Sequence, residues 1–178
     1  MNIEKAIIAS KNLVRTGWMQ NGIPPSMGET VASHSFEAAV LAYLISLELK
    51  KKGIDINPER ASVIALFHDL GESLLGDLPK WASDRVKSKN EIEREAIKEL
   101  GLPLDLFDEY ESRKTNEGLV AKFCDILSTY LQAIRYKKLG FKVDSIIETY
   151  EREIELSINT FPLSTIKEFI HTLINEYK

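Results

Sequence analysis

The chain has 178 residues, 44% of them hydrophobic and 28% charged, which suits one soluble domain with a continuous core. Its formal charge of −4 excludes a general affinity for nucleic acid or anionic membrane, since both need a basic excess. The one cysteine, Cys124, excludes an internal disulfide and a cysteine-rich zinc site, and without a signal-like or membrane-length apolar run the expected compartment is the cytoplasm.

Residues 2–16 are predicted as a first helix. The segment 22–28 holds two prolines and two glycines and must be a loop. Thr30 has the chemistry of an N-cap for a long helix from Val31 to about Lys52, with Gly53 as its left-handed stop. Asn57-Pro58-Glu59 repeats that start: a cap, a proline at the first helical position, and an acid at the positive end of the dipole. This helix is expected to reach about Leu70, followed by loop or short turns over 71–84. Further helices are expected from Lys89 to Leu100, from Leu104 to Arg113, and from Glu117 to Lys138 with Asn116 as cap. Two more cover about 143–159 and 163–177, the second started by Pro162. Strand-like alternation is absent, so the expected fold is all-α, a single-domain bundle of roughly seven or eight helices.

The chemistry concentrates where the Ile64-Ala65-Leu66-Phe67 run meets His68, Asp69, Glu72 and Asp77. An ionised aspartate at the end of a buried helix needs a partner, and a cation is one. His68 shares a face with Ala61, Ile64 and Ala65, and His34 shares one with Ala38, Leu41 and Ile45, so both histidines point inward. Each taken singly also fits a hydrogen-bonded core histidine. Asp125 is different: the apolar stripe of its helix is Leu119, Phe123, Ile126, Leu127, Tyr130 and Ile134, and Asp125 lies nearly opposite. Periodicity alone places it in solvent, whereas its small neighbours Ala121, Cys124 and Ser128 would admit a second helix on that side. A lone His-Asp pair arises by chance in roughly one such sequence in seven, so context must carry the argument.

With Glu29 to Ser35, His68 to Pro79 and the Asp125 helix in view, the chain resembles the HD-domain phosphohydrolases, whose ligands follow the order H…HD…D. More narrowly it is similar to their 5′-deoxynucleotidase branch. That branch carries E-(S/T)-V-A-x-H-S, H-D-x-x-E-x-x-x-G-D-(L/I)-P and E-Y-E, the last matched by Glu109-Tyr110-Glu111, and its eukaryotic members carry R-T-G-W, here Arg15-Thr16-Gly17-Trp18. The motifs span about residues 12–135, leaving helices 143–177 to pack on that part or to form an oligomer interface.

The resemblance implies that His34, His68, Asp69 and Asp125 bind one divalent metal ion (Mn, Co, Zn, Ni or Mg) and that the 5′-phosphate of a deoxynucleoside monophosphate is removed by attack of metal-bound water. Glu72 would handle the proton of that water or order a second one, and Asp77 would position water or the leaving group. Trp18 would pack on a sugar lacking a 2′-hydroxyl. Some bacterial members place an arginine immediately before that tryptophan, where this chain has Gly17; Arg15, expected on the same helix face, is the substitute. Two imidazoles and two carboxylates balance a divalent cation, and such an ion lowers the pKa of water and offsets phosphoryl charge. Asp77 equally fits a turn cap, and Lys80 and Lys137 are further candidates for phosphate contact. The resemblance also favours a homodimer. The alternatives are an HD-type phosphodiesterase, a nucleoside-triphosphate hydrolase, or a non-catalytic helical interaction domain.

Overall fold

Among residues 3–178, which the computed structural model describes, eight helices of nine residues or more and three of four or five residues account for the architecture. In chain order they are α1 (Ile3–Asn12), α2 (Thr16–Gln20), α3 (Val31–Lys51), α4 (Pro58–Phe67), α5 (Glu72–Leu75), α6 (Lys80–Ser83), α7 (Lys89–Glu99), α8 (Leu104–Ser112), α9 (Asn116–Lys138), α10 (Asp144–Ile158) and α11 (Lys167–Asn175). A 3-10 turn, Leu163–Ile166, leads into α11, so that helix begins later than Pro162 would have set it. The all-α expectation holds, and the three short helices lift the count above the seven or eight expected.

The start signals act as their chemistry dictates at α3 and α4. Thr30 accepts from Ser33 N at 3.2 Å, and Asn57 Oδ1 accepts from Arg60 N at 3.0 Å. At α9 the cap is Thr115, one residue before the expected Asn116, and it accepts from Gly118 N at 3.1 Å. Asn116 lies inside the helix, where its amide donates to the Asp55 carbonyl at 2.9 Å and ties α9 to the segment before α4.

Two expected helices end early, the first through tertiary pairing. The first, expected over 2–16, stops at Asn12; its expected start at residue 2 lies outside the described residues. Leu13–Arg15 instead runs antiparallel to Glu29–Val31, with Arg15 N donating to Glu29 O at 3.0 Å and Val31 N to Leu13 O at 2.9 Å. Those two bonds, with the β-branched Val14 at the crossing, outweigh helix propensity. The α4 helix ends at Phe67 rather than Leu70, so His68 is its C-cap and Asp69 begins a turn.

The central helix is α9, which packs against α3, α4, α8 and α10. Its buried residues fall on every side, including Phe123, Leu127 and Ile134 on one and Ala121, Cys124 and Ser128 on the other. Gly118 lets α8 approach: a Cβ there would sit 2.2 Å from the Glu109 carbonyl oxygen. The C-terminal stripes face inward, since Ile154, Ile166 and Ile170 belong to the main core and Ile147, Tyr150, Phe169 and Leu173 pack on it. A smaller cluster of Trp18, Ile23, Ala133, Tyr136 and Val143 fixes the loop after α2 onto the end of α9. Each large side chain so buried contributes about 1.5–3 kcal/mol before chain entropy is counted. Among the described residues no helix is long and apolar enough to cross a membrane.

Candidate metal centre

Four side chains from three segments meet at the middle of α9. His34 enters from the first turns of α3, His68 and Asp69 from the end of α4, and Asp125 from α9. His34 Nε2 lies 3.0 Å from Asp125 Oδ1 and 3.8 Å from Asp69 Oδ2. His68 Nε2 lies 3.0 Å from Asp69 Oδ2 and 3.7 Å from Asp125 Oδ1. Ligand atoms of His34, His68 and Asp125 all fall within 4.8 Å of one another, and Asp69 joins them from the side of the histidines. Both imidazoles are fully buried, whereas the Asp69 and Asp125 side chains keep 20% and 14% of their surface exposed.

The donor set suits a cation on its own geometry. His68 Nδ1 donates to the Ala65 carbonyl at 2.6 Å, which leaves Nε2 as a bare lone pair in the neutral ring. That nitrogen is buried, finds no hydrogen-bond partner among the described residues, and faces two carboxylates. Lone pair against carboxylate is repulsive unless a positive charge lies between them, and only a proton or a metal ion can supply it. Burial works against a charged His68, yet Asp69 and Asp125 outweigh it and push its pKa up to about 10. Burial likewise opposes ionisation of Asp69 and Asp125, but His68 holds the first down, and Lys122 with the two histidines holds the second down.

Neighbours on the α9 face orient Asp125 and His34. Tyr110 donates its hydroxyl proton to Asp125 Oδ2 at 2.6 Å, and Lys122 Nζ donates to the same oxygen at 3.0 Å and to Tyr110 at 2.8 Å. Burial and Asp125 keep the Tyr110 phenol protonated, as a donor must be. His34 Nδ1 lies 3.2 Å from Ser128 Oγ, which reaches Glu37 Oε2 at 3.4 Å, and Glu37 is clasped by both terminal nitrogens of Arg135. Lys122, Ser128 and Thr129 stand three or four residues from Asp125, so helical spacing was the signal that could have found them. Tyr110 and Glu29 lie within the sequence motifs, yet neither spacing nor charge pattern marks a role for them.

His68, Asp69, Asp125, Tyr110 and Lys122 form the floor of a cavity of about 400 Å³, and His34, fully buried, lies outside its lining. Its walls include Arg15, Trp18, Asp77, Lys80, Trp81 and Tyr150. Arg15 is not on a helix face with Trp18, as expected from sequence; it precedes α2 in extended conformation, because its backbone pairs with Glu29. From there its guanidinium reaches the floor, 3.2 Å from His34 Nδ1 and 3.0 Å from Thr129 Oγ1. Burial opposes its charge, and Glu29, Asp69 and Asp125 outweigh that and raise its pKa. Trp18 is only 2% exposed, donates its indole N–H to Glu29 Oε2 at 2.9 Å, and meets Tyr136 edge-on at 5.0 Å, so only an edge of it borders the cavity.

Glu72, one turn beyond His68, lines the same floor with Oε2 buried and without a partner. Burial, then the charges of Asp69 and Asp77, push its carboxyl up to about 10. Asp77 proves to be a cap as well as a wall: its Oδ2 accepts from Thr16 N at the start of α2, and Thr16 Oγ1 donates to its carbonyl at 3.0 Å. Lys80 pairs with Glu153 at 3.4 Å on the cavity wall, whereas Lys137 pairs with Asp144 at 2.7 Å on the exposed surface.

Comparison with known proteins adds relatives to this geometry. The family described as HD domain matches residues 9–159. The 5′-deoxynucleotidase HDDC2 of Dictyostelium discoideum is 31% identical over 174 residues, covering 92% of this chain and 86% of its own. Among solved structures, a conserved hypothetical protein of Pyrococcus furiosus aligns at 34% identity with a TM-score of 0.80, covering 99% of this chain and 98% of the other. A protein of Pyrococcus horikoshii aligns at 30% identity with a TM-score of 0.81, covering 99% and 100%.

Proposed function

The chain belongs to the HD-domain family, and on that premise we propose that it is a divalent-metal-dependent phosphohydrolase that removes the 5′-phosphate from deoxynucleoside monophosphates. The observation that carries the proposal is the convergence of His34, His68, Asp69 and Asp125, with the buried Nε2 of His68 facing two carboxylates, at a nucleotide-sized cavity whose lining includes the last three. We assign these four as the residues that would hold one ion, of manganese, cobalt, zinc, nickel or magnesium. Such an ion, when bound, lowers the pKa of water and offsets charge on phosphoryl oxygens.

The chain's own groups divide the remaining work. Arg15 and Lys122, both at the floor, offer fixed positive charge to phosphate oxygens. Glu72 Oε2 is the unpaired atom there, so it takes up or hands over the proton of water; pairing of Asp69 removes one of the charges that raise it and brings it towards the range of a working base. Asp77 serves water or leaving-group positioning through the oxygen not engaged with Thr16, and the exposed edge of Trp18 packs against the sugar. The cations of the wall favour a single phosphate over a triphosphate. Arg15, Lys80, Lys89 and Lys122 each already face an acid, in Glu29, Glu153, Glu93 and Asp125.

The continuous core supports treating the chain as one HD unit, with α10 and α11 packed on its motif-bearing part. The expected cytoplasmic location and homodimer belong to the same proposal. For the second copy, α3 offers an exposed apolar stripe of Phe36, Val40, Tyr43 and Leu44. Phosphate release from a panel of deoxynucleoside 5′-monophosphates, with each of the five ions, tests the activity. No turnover by metal-loaded protein would overturn it.

A further inference from the structure

The reaction end of the cavity is its floor, and a mononucleotide with its phosphate there must direct its base towards the rim. Resting on the nucleotidase reading and extending it, we propose that Trp81 is the stacking platform for the nucleobase. Trp81, on α6, is 69% exposed although an indole is among the most costly side chains to leave in water. It belongs to the wall of the same cavity that holds the metal cluster. Arg85 lies over one face of its ring, 4.3 Å from the centroid, and is fixed there by donating from Nη1 to the Trp81 carbonyl at 2.9 Å. The cavity wall includes Trp81 and not Arg85, and with the guanidinium over one face, the 69% exposure of the residue leaves the other face open. The segment is anchored at two points, by Asp77 to α2 and by Lys80 to Glu153 on α10, which holds the ring at the rim. A flat aromatic backed by a cation and open on its other face suits a planar heterocycle of any base identity, because every base presents a π-face.

The substitution Trp81→Ala should raise KM for purine and pyrimidine deoxynucleoside monophosphates alike, by roughly five- to a hundredfold, with the loss in KM rather than kcat. It should leave KM for 2-deoxyribose 5-phosphate unaltered, and Trp81→Phe should recover most of the nucleotide affinity. Unchanged nucleotide KM, or an equal loss on the baseless ester, would overturn the assignment. A second measurement stands apart from turnover. Trp18, the other of the two tryptophans, also borders the cavity, so the Trp81 share of indole quenching in metal-free protein is read as the difference between wild type and Trp81→Phe. Quenching by deoxynucleotides and not by 2-deoxyribose 5-phosphate supports stacking, and identical responses to both overturn it. Wild-type protein inert towards every ester yet quenched selectively by nucleotides would remove the nucleotidase reading and keep the platform.

Discussion

His68 Nε2 stands 3.0 Å from Asp69 Oδ2, a contact that needs either a second ring proton or a metal ion between them, because the ring's other N–H is committed to the Ala65 carbonyl. A divalent ion relieves that conflict, so binding must stabilise the fold. At a hundredfold excess over Kd the gain is about 2.7 kcal/mol, since the unfolded chain lacks the site. Thermal unfolding with and without a chelator should show it, and Asp69→Ala should abolish both the shift and the metal found by elemental analysis. Equal Tm values under the two conditions would contradict the assignment.

Ser128 Oγ, at 3.2 Å, donates its own proton to Glu37 and can accept a hydrogen bond from His34 Nδ1–H, the tautomer that leaves Nε2 free for a ligand role. Outer partners of this kind typically contribute ten- to a hundredfold in metal affinity. Ser128→Ala should therefore weaken cobalt binding by about that factor and alter the visible spectrum of the cobalt-loaded protein. Its metal-free Tm should move little, and titration calorimetry separates the two effects.

Glu72→Gln should lower kcat by about 10²–10⁴, as loss of a proton-transfer group does. It should also change how metal-free stability follows pH. The folded-state pKa of Glu72 is raised to about 10, so the folded protein binds more protons than the unfolded chain between the ordinary glutamate value and that point. Stability from this group is therefore present at low pH and lost as pH rises. The substituted protein should match wild type near pH 4 and exceed it above neutrality, by a margin in Tm that widens with each unit of pH. Unfolding curves across pH without metal decide it.

Gly118 is where α8 touches α9, and an added methyl would lie 2.2 Å from the Glu109 carbonyl oxygen. Gly118→Ala should cost about 1–3 kcal/mol through this overlap. Because Tyr110, next to Glu109, donates to Asp125, the shift should also loosen metal binding. A variant with wild-type stability and metal affinity would show that α8 can move aside freely.

What the residues alone determined was local. Helix starts at Thr30 and Asn57, the stop at Gly53 and the inward faces of His34 and His68 follow from capping chemistry and a 3.6-residue period, which act within a few residues. The family resemblance supplied the grouping of His34, His68, Asp69 and Asp125, which no periodicity contained. Only the tertiary structure decided the rest. Asp125 sits opposite an apolar stripe and reads as solvated from its own helix, but α9 is enclosed on every side, so both its faces are interior. Arg15 left its predicted helix because Glu29, fourteen positions away, pairs with its backbone, and Asp77 caps a helix sixty-one residues distant. Such contacts are set by where whole helices pack, and a single stretch of chain carries no record of its distant partners.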